Sequence, residues 1–363
     1  MSAIQKIFQQ YGAQYLERYG QSIPAVHRKV ISAIENCRNG NFGSLHYTCS
    51  SCRLEHTLPC SCGNRHCPTC QNEKASTWLD KMEKKLLPCS YFMITFTVPQ
   101  ELRSFIRSNQ KVAYTAMFDS SAQAMKKLAR DPRFIGADQI GFFGVLHTWG
   151  RTLNYHPHIH FIVPAGGLSS DRKQWLASKP DFFVRVEPLS VIYRAKFRDE
   201  MKEAGLFHQI DPVVWSKPWV VNSQAVGDGR TSIKYLTPYV FRVAISNSRI
   251  VSFKGGEVSF KYRKSGSNRW RKMTVSAMEF IRRFLQHVLP VGFMKIRHYG
   301  FLSGSSKTPW PKIRELICIL YEIVTGKITD RKEKLRVNRG PKCTSCGNEL
   351  CWVKFSLCRI RAG

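Results

Sequence analysis

The chain has 363 residues, 43% of them apolar, and carries 56 lysines and arginines against 25 acids, a formal charge of +31. This length and apolar content suit a folded protein with a core, built as one large domain or two to three smaller ones, and weigh against a disordered or fibrous chain. The charge calls for a polyanionic partner, nucleic acid ahead of anionic membrane; no apolar run reaches the roughly 20 residues of a membrane span, and neither a signal peptide nor a lipidation motif is evident.

Residues 1–36 read as helical, with Ile4, Ile7, Phe8, Tyr11 and Tyr15 at helical spacing. A cysteine-rich segment follows from Cys37 to Cys70. In a long chain without an export signal, clustered cysteines point to metal rather than disulfides. Cys49-x2-Cys52 and Cys67-x2-Cys70 stand fourteen residues apart, close to the spacing of a four-cysteine zinc site. Cys37, His46, Cys62 and His66 remain for a second site, with His56 and Cys60 as spares, so the pairing stays open. Four protein ligands leave no open position, so such a site is structural. Arg38, Arg53, Arg65 and Lys74 nearby suit a DNA-reading module. A polar helix is expected over about 72–87, ending near Pro88, then a buried strand from Tyr91 to Val98, stopped by Pro99, then a long helical stretch over about 100–130.

Ile140–Thr148 and His158–Val163 read as two strands of a hairpin joined through Gly150 and Asn154. Alternate side chains leave the same face of a strand, so His158 and His160 point the same way and can grip one divalent metal ion. A catalytic metal needs about three protein ligands and open positions; His147, on the preceding strand, is the expected third, with His156 as the alternative. Imidazoles suit Mn²⁺ or Mg²⁺ bridging to a phosphate oxygen, and would also accept Zn²⁺. Residues 168–230 mix helix and loop without a clear order. Tyr235 and Tyr239 stand four apart; on one helix they would share a face, and a phenol can attack phosphorus to leave a covalent phosphotyrosine. Pro238 fits best in a first helical turn. With Thr237 as cap, Tyr239 would lie on the helix and Tyr235 just before it.

Arg249–Lys254 and Val258–Arg263 alternate around Gly255-Gly256, a strong hairpin signal. Phe253, Lys254, Phe260, Lys261, Tyr262, Arg263 and Lys264 interleave rings and cations there, the combination used for stacking on and pairing with single strands. Ser276 and Glu279 form a capping-box pattern opening a helix that Pro290 ends. The basic tail from about 306 carries five more cysteines, and Cys343-x2-Cys346, with Cys351 and Cys358, suggests a third metal knuckle.

Taken jointly, Cys49-x2-Cys52, the run Ser61–Cys70, Phe96–Pro99, Leu146–Gly150, His156–Pro164, Tyr235-x3-Tyr239 with Ile245-Ser246-Asn247, and Arg297–Gly300 resemble the rolling-circle insertion-sequence transposases of the HUH endonuclease superfamily, the two-tyrosine type with an N-terminal zinc-binding domain. The resemblance implies an α+β fold: a central antiparallel sheet flanked by helices over 89–305, preceded by a helical zinc-binding DNA-recognition domain over 1–88 and followed by a small basic tail over 306–363. It implies that His158 and His160 bind the catalytic metal, that Tyr235 and Tyr239 are the nucleophiles, and that the partners are single-stranded DNA at element ends and target DNA. The chemistry implied is a 5′-phosphotyrosine link that frees a 3′-OH, then its reversal on a new strand. The expected setting is cytoplasmic and DNA-associated, with no membrane partner. A plasmid replication initiator or relaxase would share this chemistry, whereas a non-enzymatic zinc-dependent nucleic-acid-binding protein would show no metal-dependent cleavage.

Overall fold

The N-terminal helical segment is broken in two. α1 (Ala3–Tyr19) opens where the Ser2 hydroxyl accepts the Gln5 N–H at 3.2 Å, and α2 (Ala25–Glu35) starts behind Pro24, whose missing N–H suits a helix entrance. The computed structural model describes residues 2–241, 244–264, 267, 269–325 and 341–357, without the side chains of 72, 73, 238, 239, 241 and 322–325. The remaining elements run β1 (Ser44–Cys49), β2 (Glu55–Pro59), α3 (Gln71–Lys84), β3 (Tyr91–Thr97), α4 (Leu102–Ser108), α5 (Gln110–Ala129), β4 (Phe142–Trp149), β5 (Tyr155–Pro164), β6 (Gly166–Leu168), β7 (Trp175–Ala177), α6 (Val186–Glu203), α7 (Val213–Ser216), β8 (Val220–Ala225), α8 (Arg230–Phe241), β9 (Ile250–Lys254), β10 (Glu257–Arg263), β11 (Trp270–Ser276), α9 (Ala277–Leu285), β12 (Ile296–Tyr299), α10 (Trp310–Thr325) and β13 (Leu350–Ser356).

The centre is a five-stranded antiparallel sheet in the order β12-β4-β5-β3-β8. Its two faces follow from the period-2 alternation of β5. Ile159, Phe161 and Val163 join Phe96, Phe142 and Leu146 on one face, packed against α5 and α6. There the Phe161 ring meets Phe96 and Phe118 edge-on at centroid separations of 5.7 and 6.2 Å, and a Cβ at Gly144 would lie 2.4 Å from that ring, so only glycine fits. On the other face Ile162, Phe143 and Val145 pack with Met82 of α3, Ile233, Leu236 and Val240 of α8, and Ile313 and Ile317 of α10.

A second core joins α1 and α2 to the β9–β10–β11 sheet and α9, through Ile4, Phe8, Ile31, Val258, Phe260, Phe280 and Phe284. A third sheet is assembled from both ends of the chain. β13, expected in a separate tail, pairs antiparallel with β1, whose other edge carries β2. The stretch 168–230 resolves into the β6–β7 hairpin, α6 with Leu189, Tyr193, Phe197 and Met201 buried at four-residue intervals, and the edge strand β8.

Candidate active site and metal centres

Register brings the predicted histidines together. His147 on β4 lies opposite His158 on β5, and His160 lies between Val145 and Thr95 on its two neighbouring strands. The imidazole centroids stand 4.5 Å (His147–His160), 4.9 Å (His158–His160) and 5.1 Å (His147–His158) apart, and one ring nitrogen from each lies within 4.8 Å of the others. His156 leaves the same face but is engaged elsewhere: its Nδ1 accepts a hydrogen bond from the Arg103 guanidinium at 2.8 Å.

All three rings are neutral near pH 7. Burial, reinforced by the neighbouring imidazoles, drives His147 and His158 well below the ordinary histidine range, and burial brings His160 to about 4. Outer contacts fix two of them. The His158 Nδ1–H donates to the His156 carbonyl at 2.7 Å, which leaves Nε2 as its lone-pair nitrogen, and His160 Nδ1 shares a 2.8 Å hydrogen bond with the Thr95 hydroxyl. The donor chemistry therefore fits a divalent cation: three neutral imidazoles on rigid strands, with no charge of their own and, among the described residues, no fourth His, Cys, Asp or Glu ligand. On the far side of His147 the Trp149 indole stacks at 5.5 Å, and the buried Lys295 ammonium lies over that indole at 4.8 Å, its pKa brought down to about 7 by burial and then by Arg65.

Helix α8 runs unbroken from Arg230 to Phe241, so the expectation that Pro238 begins the helix is corrected, and Tyr235 and Tyr239 lie on one helix, a turn apart. The chain holds the helix here through a buried stripe rather than through local propensity; Thr237, buried, donates its hydroxyl to the Ile233 carbonyl at 2.7 Å one turn back. The stripe of Ile233, Leu236 and Val240 seats α8 on the histidine face of the sheet. Tyr235 lies away from that stripe and is 48% exposed; the Tyr239 side chain is outside the described residues. Val240, beside Tyr239 in sequence, lines a cleft of about 270 Å³ together with Trp149, Lys295, Arg65 and His66.

The cysteines group differently from their sequence spacing. Cys37, Cys62, Cys67 and Cys70 converge, with Sγ–Sγ separations of 3.5 Å for Cys37–Cys70 and Cys62–Cys70. Cys49 and Cys52 face away from this group and meet Cys343 and Cys346, so the expected Cys49–Cys52–Cys67–Cys70 set and a separate C-terminal knuckle are both corrected. The reason is topological: the β1–β2 turn carries one pair while Cys67 and Cys70 lie in the turn that leads into α3. His46 and His66 also leave the ligand sets. His46 bonds the Ser356 and Thr57 hydroxyls through its two ring nitrogens at 2.8 and 3.1 Å, and His66 Nε2 accepts the Leu289 N–H at 3.1 Å. His66 and Arg65, whose guanidinium donates to the Phe293 carbonyl at 2.7 Å, dock the cysteine module on the segment after α9. Cys351 is exposed and belongs to neither group; Cys358 lies outside the described residues.

Hairpin β9–β10 forms as expected, with Gly255 and Gly256 at φ of +58° and +78°. Its rings and cations separate by face. Phe260 is fully buried against Phe280, and Phe253 packs edge-on against Tyr11 at 5.8 Å, so these rings do not join the cations. The ring beside the cations is one that sequence reasoning missed: Trp270 on β11, 51% exposed and paired with Arg263, has the Arg263 guanidinium over it at 4.6 Å and the Lys261 ammonium at 5.3 Å. Only the register of β11 against β10 brings it there, and the sequence carries no local signal for that pairing. Lys254, the last residue of β9, and Lys264, just after β10, are exposed, the Lys264 carbonyl accepting from Arg151. Arg297, in the motif near the end, faces the opposite side of the sheet, where it bonds Thr115 and Asp119 and covers Phe118.

Comparison with known proteins matches two modules of the chain. Residues 7–98 match a family described as "Transposase zinc-binding domain", and residues 141–309 match one described as "Putative transposase". The chain is 37% identical over 318 residues to "Putative transposase y4qJ" of Sinorhizobium fredii, covering 82% of this chain and 79% of that one. It is 26% identical over 341 residues to the transposase for insertion sequence element IS801 of Pseudomonas savastanoi pv. phaseolicola, covering 87% and 81%. No solved structure matched. No helix among the described residues is long and apolar enough to cross a membrane. With both modules matched in order and a relative of this identity covered over most of its length, the chain belongs to the insertion-sequence transposase family that carries an N-terminal zinc-binding domain.

Proposed function

We propose that this transposase nicks and rejoins single-stranded DNA at element ends through a 5′-phosphotyrosine intermediate, with Tyr235 and Tyr239 as nucleophiles and His147, His158 and His160 as the seat of a divalent cation. The single observation that carries the reading is that α8, the helix bearing both tyrosines, packs on the same sheet face as the three histidines. Its C-terminal turn reaches the cleft lined by Trp149, whose ring stacks on His147. When bound, Mn²⁺ or Mg²⁺ would supply positive charge to a phosphate oxygen; the all-imidazole set favours Mn²⁺ of the two.

The chain's own residues do the rest. Arg103, held against His156 beside His158, presents a cation to the scissile phosphate. The tyrosine oxygen forms a bond to phosphorus as the bond from phosphorus to the 3′ oxygen breaks, and that oxygen leaves as a 3′-OH with the proton the phenol gave up. The 5′ phosphate stays on tyrosine, so the bond's free energy is kept for transfer to a new 3′-OH, and a second tyrosine on the same helix lets two strands be held in succession. The exposed Tyr235 is accessible to a strand as large as DNA. Trp270 with Lys261, Arg263, Lys254 and Lys264 offers stacking and phosphate contacts to an unpaired strand. The cysteine group Cys37, Cys62, Cys67 and Cys70 holds a structural zinc ion that keeps the N-terminal module folded.

The test is denaturing electrophoresis of protein with a labelled single-stranded element end in Mn²⁺. Wild type gives a covalent adduct and a free 3′ end. Tyr235→Phe and Tyr239→Phe each reduce it, and the double variant abolishes it. An adduct that persists in the folded double variant, or cleavage that never passes through one, refutes the reading.

A further inference from the structure

We propose that Cys49, Cys52, Cys343 and Cys346 bind a structural zinc ion that fastens the C-terminal segment of the chain to its N-terminal region. The site lies apart from the Cys37 group, and half of its ligands lie beyond residues 7–98 of the zinc-binding-domain match.

Two turns of the same construction face each other. In the first, the Cys49 N–H bonds the Leu54 carbonyl at 2.9 Å, the Arg53 N–H bonds the Cys49 carbonyl at 3.1 Å, and Arg53 has φ +56°. In the second, the Cys343 N–H bonds the Asn348 carbonyl at 2.8 Å, the Gly347 N–H bonds the Cys343 carbonyl at 3.0 Å, and Gly347 has φ +75°. In each, the leading sulfur receives backbone N–H groups from the two residues that precede or complete its CxxC: Ser51 and Cys52 for Cys49, Ser345 and Cys346 for Cys343. Donors aimed at sulfur favour thiolate, the metal-binding form. His56 Nε2 adds a further contact to Cys343 Sγ at 3.3 Å.

The sulfur separations fit one ion. Cys49–Cys346, Cys52–Cys343 and Cys52–Cys346 stand at 3.4, 3.6 and 3.7 Å. Tetrahedral zinc with bonds of about 2.3 Å sets sulfurs about 3.8 Å apart, whereas a disulfide needs about 2.0 Å. All four cysteines are free thiols.

β13 is exposed along its length after Leu350, β2 is exposed at four of five positions, and β1 buries only Cys49. A three-stranded sheet with so little apolar burial does not hold together on its packing, and small domains of this kind rely on metal. Zinc at one end of the sheet supplies what the missing core does not, with β13 held in register against β1 from Cys49↔Leu350 onward.

The experiment uses full-length, zinc-loaded protein. Alkylation followed by mass spectrometry should leave Cys49, Cys52, Cys343 and Cys346 at least tenfold slower to react than the exposed Cys351, and graded chelation should expose the four together. The Cys343→Ser/Cys346→Ser variant should hold one zinc ion fewer than wild type, with faster amide exchange in residues 44–49 and continued protection of Cys37 and Cys67. Reaction of Cys343 and Cys346 as fast as Cys351, their release separately from Cys49 and Cys52, or an unchanged zinc content in the variant overturns the proposal. The alkylation arm needs no variant, so it decides the matter even if the double substitution fails to fold. None of these readouts depends on strand cleavage, so failure here and failure of the tyrosine mechanism are separable.

Discussion

Replacing Thr95 by Val tests whether the histidine group is a metal seat or a packed polar cluster. The substitution keeps the β-branched shape on a central strand and removes one hydroxyl, which shares a 2.8 Å hydrogen bond with His160 Nδ1. His160 is 9% exposed, and leaving a polar nitrogen this deep unsatisfied costs about 1–3 kcal/mol. If that contact orients the ring for a cation, the loss is seen in metal affinity as about 10–100-fold, the usual effect of deleting an outer partner of a ligand and about 1.4–2.8 kcal/mol. The assay is Mn²⁺ titration, by calorimetry for binding and by cleavage of a single-stranded end for activity. Thr95→Val should shift both midpoints upward together while the rate at saturating Mn²⁺ stays within about threefold of wild type. A falling rate at an unchanged Mn²⁺ midpoint would place His160 outside metal binding, and unchanged values in both would remove the hydroxyl's orienting role.

Two further outcomes follow from other parts of the fold. Trp270→Ala should weaken binding of unpaired DNA by about 1–3 kcal/mol, the worth of one base–aromatic stack, or roughly 5–150-fold, with little loss of thermal stability because the ring is half exposed; fluorescence anisotropy with a labelled oligonucleotide measures it, and unaltered affinity would show that the β10–β11 face does not touch the strand. Acidification should loosen the docking of the zinc module. Burial holds His66 and His287 at about 3, below an unfolded value near 6.5, so the unfolded chain takes up their protons first. Stability is therefore full above pH 6.5 and falls as pH drops toward 3, by about 2 kcal/mol for each histidine at pH 5; thermal melts of wild type and His66→Gln between pH 7.5 and 5 check it, and equal slopes for the two would exclude His66.

The histidine strand was legible because its signal is local. Three imidazoles at alternate positions, bounded by Tyr155 and Pro164, specify both a strand and the side they occupy, and His147 followed from one hairpin. The tyrosine helix was half legible: the four-residue spacing was plain, but Pro238 suggested a helix start, whereas the buried stripe of Ile233, Leu236 and Val240 carries α8 through it. The cysteine pairing was not legible, because spacing favours partners near in sequence and the actual partners of Cys49 and Cys52 lie almost 300 residues away. The cation–aromatic face was misread for a related reason. Phe253 and Phe260 alternate into the core exactly one residue out of step with Lys254 and Lys261, and the ring that joins the cations comes from the next strand.

The two faces of the central sheet divide the work of holding and acting. On one side, Phe96, Phe142 and Phe161 fill the space beneath α5 and α6, with Gly144 omitting a side chain where the Phe161 ring lies. Close packing of that kind fixes the strands to a fraction of an ångström, and truncating a buried phenylalanine there would cost about 3–5 kcal/mol. The other side is packed too, by Phe143, Val145 and Ile162 against α3, α8 and α10, but along only part of its strands. Its strand ends carry His147 and His160, both buried, and the half-buried His158, polar rings that stabilise little by themselves and are tolerable because the sheet is also held from behind. The same division explains how the tyrosine-bearing helix sits on the histidine side: α8 shares a narrow apolar stripe with the sheet, so Tyr235 stays exposed while the helix's position relative to the histidines is set by Leu236 and Val240.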